Sequence, residues 1–138
     1  MGPLICAFGV DEGSSFTDRH FGDSEYFDIY ELVEETFNFK TRLKNTSEDE
    51  KVHADPKKAG SIAGLLKTQG VQVVFSRQFG PNIVRIRRRF VCIKLQSKSV
   101  EDVKRLAIAH LDTLSQMWDC GEHRGILIES GDTFKEKN

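Results

Sequence analysis

A helix that leads directly into an apolar strand is the feature that most constrains the fold of this chain. In the segment DPKKAGSIAGLLKTQGVQVVF, Asp55 can cap the helix, Pro56 suits its first position and Gly70 can end it. The strand that follows, Val71–Phe75, is apolar along almost its whole length. Such a strand is typical of the centre of a sheet that is buried on both faces, so helices are expected on both sides.

Four other segments have the pattern of strands, which predicts five strands in all. Leu4–Val10 and Val91–Leu95 are apolar runs, whereas Tyr26–Val33 and Thr36–Lys44 alternate and are expected to pair as a hairpin. A hairpin followed by alternating helices and strands predicts an α/β fold, with a mixed, largely parallel sheet flanked by helices.

Two further helices complete the predicted domain. The dipeptide Gly80-Pro81 predicts the start of a short helix, and Ser99 is expected to cap a single long helix at the end of the domain. Residues 1–120 are therefore predicted to form one domain. Residues 121–138 are interpreted as a C-terminal tail, in which the sequence GILIE forms either an edge strand or a frayed end.

Composition narrows the class of protein. Of the 138 residues, 38% are hydrophobic and 30% are charged, which is typical of a globular protein. No apolar run has the length of a membrane helix, and the opening MGPLICAFGV lacks the basic region of a signal peptide. We therefore expect a cytoplasmic protein that does not associate with membranes.

The cysteines predict neither a disulfide framework nor a cysteine-rich metal site. Cys6, Cys92 and Cys120 are widely spaced, and the chain has no Cys-x-x-Cys motif. The first two lie in predicted strands and are expected to be buried, whereas Cys120 is expected to be exposed.

Charge is distributed unevenly along the chain. Asp11–Glu35 contains nine acidic residues and one arginine, whereas Arg77–Arg89 contains five arginines and no acidic residue. A local basic patch of this kind can attract an anion or an acidic protein partner. Nucleic acid is not an expected partner, because the aromatic residues lie in predicted strands and one short patch offers few phosphate contacts.

The sequence contains no recognisable catalytic constellation. The first strand carries no carboxylate, and Asp28 and Glu31 lie on opposite faces of the second, so they do not converge on a pair of metal ions. Nucleophile-elbow, Walker and dinucleotide-binding motifs are also missing from the sequence. We therefore expect a protein that is not an enzyme.

Two histidines are candidate metal ligands. His20, in the loop sequence His-Phe-Gly, can offer an imidazole nitrogen to iron, molybdenum or copper. The alternative is a plain turn, in which His20 bonds to its own loop and Phe21 fills the core. His53 could be a second ligand or a histidine of the connector before the helix. The residues alone leave these alternatives open.

The turn FGPNI, Phe79–Ile83, is a candidate anion site. Gly80 allows close approach of the backbone, and the amides of Asn82 and Ile83 are expected to point outward at the start of a helix. Arg77 adds positive charge beside the turn. An ordinary strand-to-helix turn explains the same residues equally well.

Taken together, HFGDSEYFDIYEL and LLKTQGVQVVFSRQFGPNI resemble the dinitrogenase iron-molybdenum cofactor biosynthesis family of NifX-like proteins, over roughly Leu4–Leu114. The resemblance implies a ribonuclease H-like fold and a cargo of iron-molybdenum cofactor, a precursor of it or a related metal-sulfur cluster. It also implies a cofactor-binding site, with His20 as metal ligand, made of His20, Phe21, Gly22, Gly80, Pro81 and Asn82, with Arg77 where many relatives have glycine.

Two functional interpretations follow from this resemblance and from the charge pattern. The first is a non-catalytic carrier of the cluster, a monomer or weak homodimer whose partners are the proteins that donate and accept the cofactor. The second is a metal-free regulatory or protein-interaction module with the same fold.

Overall fold

The computed structural model describes residues 2–13, 15–45 and 56–137, and for residues 56–61 it describes the backbone alone. The predicted second ligand His53 and the predicted helix cap Asp55 lie outside these residues.

A mixed sheet of seven strands organises the described part of the chain. In sequence these are β1 (Leu4–Val10), β2 (Tyr26–Val33), β3 (Thr36–Lys44), β4 (Val73–Ser76), β5 (Val91–Lys94), β6 (Ile126–Ser130) and β7 (Thr133–Lys137). In space they lie in the order β3-β2-β1-β4-β5-β6-β7. The central strands β1, β4, β5 and β6 are parallel, and the pairs β3–β2, β2–β1 and β6–β7 are antiparallel.

The prediction of five strands was wrong, because the segment after Gly121 adds β6 and β7 to the sheet. β6 pairs with β5 in parallel, and its buried Leu127 lies in the same core cluster as Ile93 of β5. Both strands are only five residues long and alternate with polar residues, so their sequence signal is weak without the neighbouring strand. The ribonuclease H-like assignment stays a prediction.

Helices cover both faces of the sheet, as predicted. Helices α1 (Pro56–Lys67) and α2 (Ile83–Ile86) pack on one face, where Leu66 and Ile86 lie in one cluster with the β4 residue Val74. Helices α3 (Val100–Ala109) and α4 (Leu111–Asp119) pack on the other, where Val103 and Leu114 lie in one cluster with Phe75. No helix in the described ranges is long and apolar enough to cross a membrane.

The single long helix predicted after Ser99 is in fact two helices. Ser99 caps the first as predicted, since its Oγ accepts a hydrogen bond of 3.2 Å from the Asp102 amide. The break falls at His110, whose backbone leaves the helical region at φ −122° and ψ 31°. The His110 ring lies 5.5 Å from the ring of Phe134 in β7, so the junction between the two helices contacts the C-terminal hairpin.

Candidate functional site

The loops that follow β1 and β4 meet at the carboxyl edge of the sheet. Because these two strands are parallel, both loops leave the sheet at the same end. His20 and Gln78 form a parallel bridge, and the Phe21 amide donates a hydrogen bond of 2.8 Å to the Gln78 carbonyl. The fold therefore joins the His-Phe-Gly and Gly-Pro-Asn motifs, in a region that we call the carboxyl-edge site (residues 18–22 and 76–82, with Lys98).

The imidazole of His20 packs directly against the α-carbon of Gly80. A Cβ added at position 80 would lie 2.7 Å from Cε1 and 2.8 Å from Cγ of the His20 ring. Gly80 also has a φ of +71°, a conformation that residues with side chains adopt at a cost. Position 80 therefore favours glycine for two separate reasons. The half-buried His20 ring occupies the space that a side chain at this position would fill.

A pair of cations lies beside this contact and shares one carboxylate. Arg77 forms an ion pair with Asp18, and Lys98 Nζ lies 3.1 Å from Asp18 Oδ2. The hydrogen bond from Lys98, together with the charge of Arg77, holds the pKa of Asp18 below its ordinary value. Gln78 fixes the same loop, because its Nε2 donates a hydrogen bond of 3.0 Å to the Asp18 carbonyl.

Lys98 is a site residue that the sequence analysis missed. It lies in the loop after β5, and β5 is parallel to β4, so the two loops leave at the same edge. The signal that could have found Lys98 was therefore its position just beyond a predicted parallel strand, not its chemistry.

Three buried polar atoms at or near the two motifs have no hydrogen-bond partner among the described residues. They are the hydroxyl oxygen of Ser76, Nε of Arg77 and the side-chain oxygen of Asn82. Buried polar groups are nearly always paired in folded proteins, so a water molecule or a ligand atom is expected to pair each of these three. The pairing of Arg77 with Asp18 is made through Nη1 and leaves the buried Nε without an acceptor.

Phe21 and Gly22 hold the first loop in place. Phe21 is completely buried, with its ring centroid 5.0 Å from that of Phe27 and 5.5 Å from that of Phe79. The Gly22 carbonyl accepts a hydrogen bond of 2.8 Å from the side chain of Asn45, the residue directly after β3. The Phe21 ring faces the core, as the plain-turn alternative expected, and anchors the loop that carries His20.

The expectation that the Ile83 amide points outward was wrong. That amide donates a hydrogen bond of 3.1 Å to the Gly80 carbonyl, which closes a tight turn before α2. Helix α2 is also only four residues long, so it has little dipole with which to attract an anion. Positive charge at this edge therefore comes from the side chains of Arg77 and Lys98.

A buried carboxylate on β6 fixes the loop that carries Lys98. Glu129 accepts hydrogen bonds from the Gln96 amide (2.8 Å) and from the amide and hydroxyl of Ser97 (2.9 and 2.7 Å). Burial opposes ionisation of Glu129, but these hydrogen bonds outweigh it and hold its pKa below the ordinary value. The C-terminal hairpin thus supports the carboxyl-edge site from the side of β5.

The cysteine thiols are distributed as predicted. Cys6 and Cys92 are completely buried, and burial raises the pKa of each thiol, whereas Cys120 is exposed. Within the described ranges, no group of three or more histidine, cysteine, aspartate and glutamate side chains could hold a metal ion.

Comparisons with known proteins place the chain in a family. The sequence profile of the family described as "Dinitrogenase iron-molybdenum cofactor" matches residues 3–110, and no curated protein sequence matches the chain. An NMR structure of a candidate dinitrogenase from Methanococcus jannaschii is 15% identical, with a TM-score of 0.55, and the alignment covers 80% of this chain and 92% of the other. A crystal structure of a candidate dinitrogenase from Methanocaldococcus jannaschii is 16% identical, with a TM-score of 0.54 and coverages of 79% and 91%. The family match covers most of the chain, and the solved structures share its fold: the chain belongs to the dinitrogenase iron-molybdenum cofactor family.

Proposed function

We propose that this protein binds an iron-molybdenum cofactor, a precursor of it or a related metal-sulfur cluster as cargo, and passes it to a second protein without catalysing a reaction. Family membership supports the class of cargo. The observation that carries the proposed location is the His20 imidazole seated against Gly80, beside the cation pair of Arg77 and Lys98.

His20 is the proposed metal ligand. Its ring is half-buried and rests on the α-carbon of Gly80, so little freedom has to be lost when a metal binds. The loop that carries this ring is fixed by the packing of Phe21 and by the hydrogen bond from the Phe21 amide to the Gln78 carbonyl. One imidazole bond holds a cluster less firmly than several thiolates would, which suits a cargo that must be released.

Arg77 and Lys98 supply the charge that complements an anionic cluster. In the described structure both cations contact Asp18, whose side chain is 62% exposed. Exposed ion pairs are weak because water and salt screen them. We therefore assign Asp18 the role of an exchangeable internal counter-ion, which an incoming cluster of higher charge displaces from the two cations.

Anaerobic titration with tetrathiomolybdate, and separately with a synthetic iron–molybdenum–sulfur cluster, tests the proposal. Gel filtration followed by metal analysis should show metal eluting with the wild-type protein. His20→Ala should lose most of that metal, and Arg77→Gln should retain less, while both still unfold cooperatively in urea. Arg89→Gln is the matched control, since it removes an exposed arginine from another part of the same basic segment.

Two results would contradict the proposal. Retention of metal by His20→Ala at the wild-type level would remove His20 as ligand. Absence of retained metal in the wild-type protein with both compounds would favour the metal-free interaction module instead.

A further inference from the structure

A cationic cleft lies at the opposite end of the sheet from the carboxyl-edge site. Its volume is about 560 Å³, and it is lined by Arg87, Arg88, Glu122, His123, Arg124 and Gly125. These residues precede the parallel strands β5 and β6, which begin at Val91 and Ile126, so the cleft lies at the amino edge of the sheet. We call it the amino-edge cleft.

Arg124 fixes the base of the cleft. It is 6% exposed, and its guanidinium donates hydrogen bonds to the carbonyls of Met117 (3.2 Å), Trp118 (2.9 Å) and Arg88 (3.0 Å). Its Cζ also lies 4.5 Å from the centroid of the Trp118 ring. These bonds join the end of α4 to the segment after α2, so the two sides of the cleft keep a fixed spacing.

The buried charge of Arg124 has no carboxylate partner among the described residues. Its hydrogen-bond acceptors are neutral carbonyls, and burial lowers its pKa, the direction expected when a cation is desolvated without a counter-ion. Burying an unpaired charge is costly. An anion bound in the cleft would compensate the positive charge of Arg124 and so reduce this cost.

The other cations of the cleft are able to contact such an anion. In the part of the chain that the structure describes, neither Arg87 nor Arg88 forms a side-chain ion pair. Arginine offers paired N–H groups that match two oxygens of a phosphate. Glu122, also in the lining, can accept a hydrogen bond from a hydroxyl group of the same ligand. The volume is in the range of pockets for small molecules.

We propose that the amino-edge cleft binds a small phosphate-bearing molecule through Arg88 and Arg87, independently of the carboxyl-edge site. Arg88 is the residue to test, because its side chain is exposed and its structural contact is made by its backbone carbonyl. Replacement of its side chain should therefore leave the fold intact.

Isothermal titration calorimetry with inorganic pyrophosphate, on the full chain, tests the proposal. The wild-type protein should bind it saturably, and Arg88→Gln should bind about tenfold more weakly. Arg89→Gln changes the neighbouring exposed arginine, which does not line the cleft, and should bind as the wild type does. Circular dichroism checks that each variant is folded.

Further titrations, with another variant and with other anions, identify the binding site and the chemical class of the ligand. Loss of pyrophosphate binding in Arg77→Gln but not in Arg88→Gln would assign the anion to the carboxyl-edge site and overturn the proposal. Citrate tests whether carboxylates replace phosphate, and citrate binding that is tighter than that of pyrophosphate would refute the phosphate class. No saturable binding of pyrophosphate would overturn the proposal, and binding of a polyglutamate peptide in place of pyrophosphate would favour an acidic protein partner instead.

Discussion

The imidazole ring of His20 occupies the space that the Cβ of any other residue would need at position 80. These two residues lie far apart in the sequence, in loops that follow different strands, and they meet because β1 and β4 are parallel neighbours. A side chain at position 80 would displace the His20 ring. Substitution of Gly80 therefore tests the position of the proposed ligand.

Gly80→Ala should destabilise the protein more than a left-handed backbone alone explains. Gly70 is the matched control, since its φ of +75° is close to the +71° of Gly80 but nothing lies within 4 Å of an added Cβ. Gly70→Ala should cost about 1–2 kcal/mol, the penalty for φ > 0. Gly80→Ala should cost about 1–3 kcal/mol more, because the new methyl group overlaps the His20 ring. Urea unfolding measures both, and equal losses would show that the ring moves aside freely.

Asp18→Asn should strengthen binding of the anionic cargo. The change frees Arg77 and Lys98 from their shared carboxylate, so we expect an affinity for tetrathiomolybdate roughly threefold higher, the scale of one screened ion pair. Asp112→Asn is the control, because it makes the same charge change at an exposed position on α4. Weaker binding by Asp18→Asn than by this control would mean that the carboxylate organises the loop and does not compete with cargo.

Glu129 should make stability depend on acid pH. Its pKa in the folded protein is below the ordinary 4.5, so its stabilising contribution is present above that pH and is lost as pH falls through the lowered value. Glu129→Gln should therefore cost about 1–3 kcal/mol in the free energy of unfolding at about pH 7, and less at about pH 3.

Glu136→Gln, at an exposed position of β7, is the matched control for Glu129→Gln and should have little effect at either pH. Denaturant unfolding of the three proteins at the two pH values gives the comparison. A cost for Glu129→Gln that is the same at both pH values would refute the assignment.

The three cysteines should differ in reactivity with a thiol reagent such as dithionitrobenzoate. Cys120 is exposed and should react in the native protein, whereas Cys6 and Cys92 are completely buried, with raised pKa values, and should react only on unfolding. Cys120→Ser should abolish the fast reaction. Rapid modification of a second thiol in folded protein would indicate opening of the sheet.

Local pattern was enough to predict most of the elements near the site. The apolar run that became β1 and the alternation of β2 and β3 need no tertiary information, and neither does the cap at Ser99. The strands β6 and β7 were harder to predict, because a five-residue segment with alternating polar positions resembles a loop until its neighbouring strand is known. The break at His110 also left no mark in the helical periodicity.

The sequence by itself determined the class of fold, the two motifs and the excess of arginine beside one of them, since these depend on periodicity and composition. Tertiary structure decided which residues meet. Parallel pairing of β1 with β4 placed His20 on Gly80, and pairing of β4 with β5 brought Lys98 to the same edge. Contacts between residues so far apart in the chain depend on strand order and register, which local pattern does not encode, and that is why Lys98, Glu129 and the amino-edge cleft emerged from the structure alone.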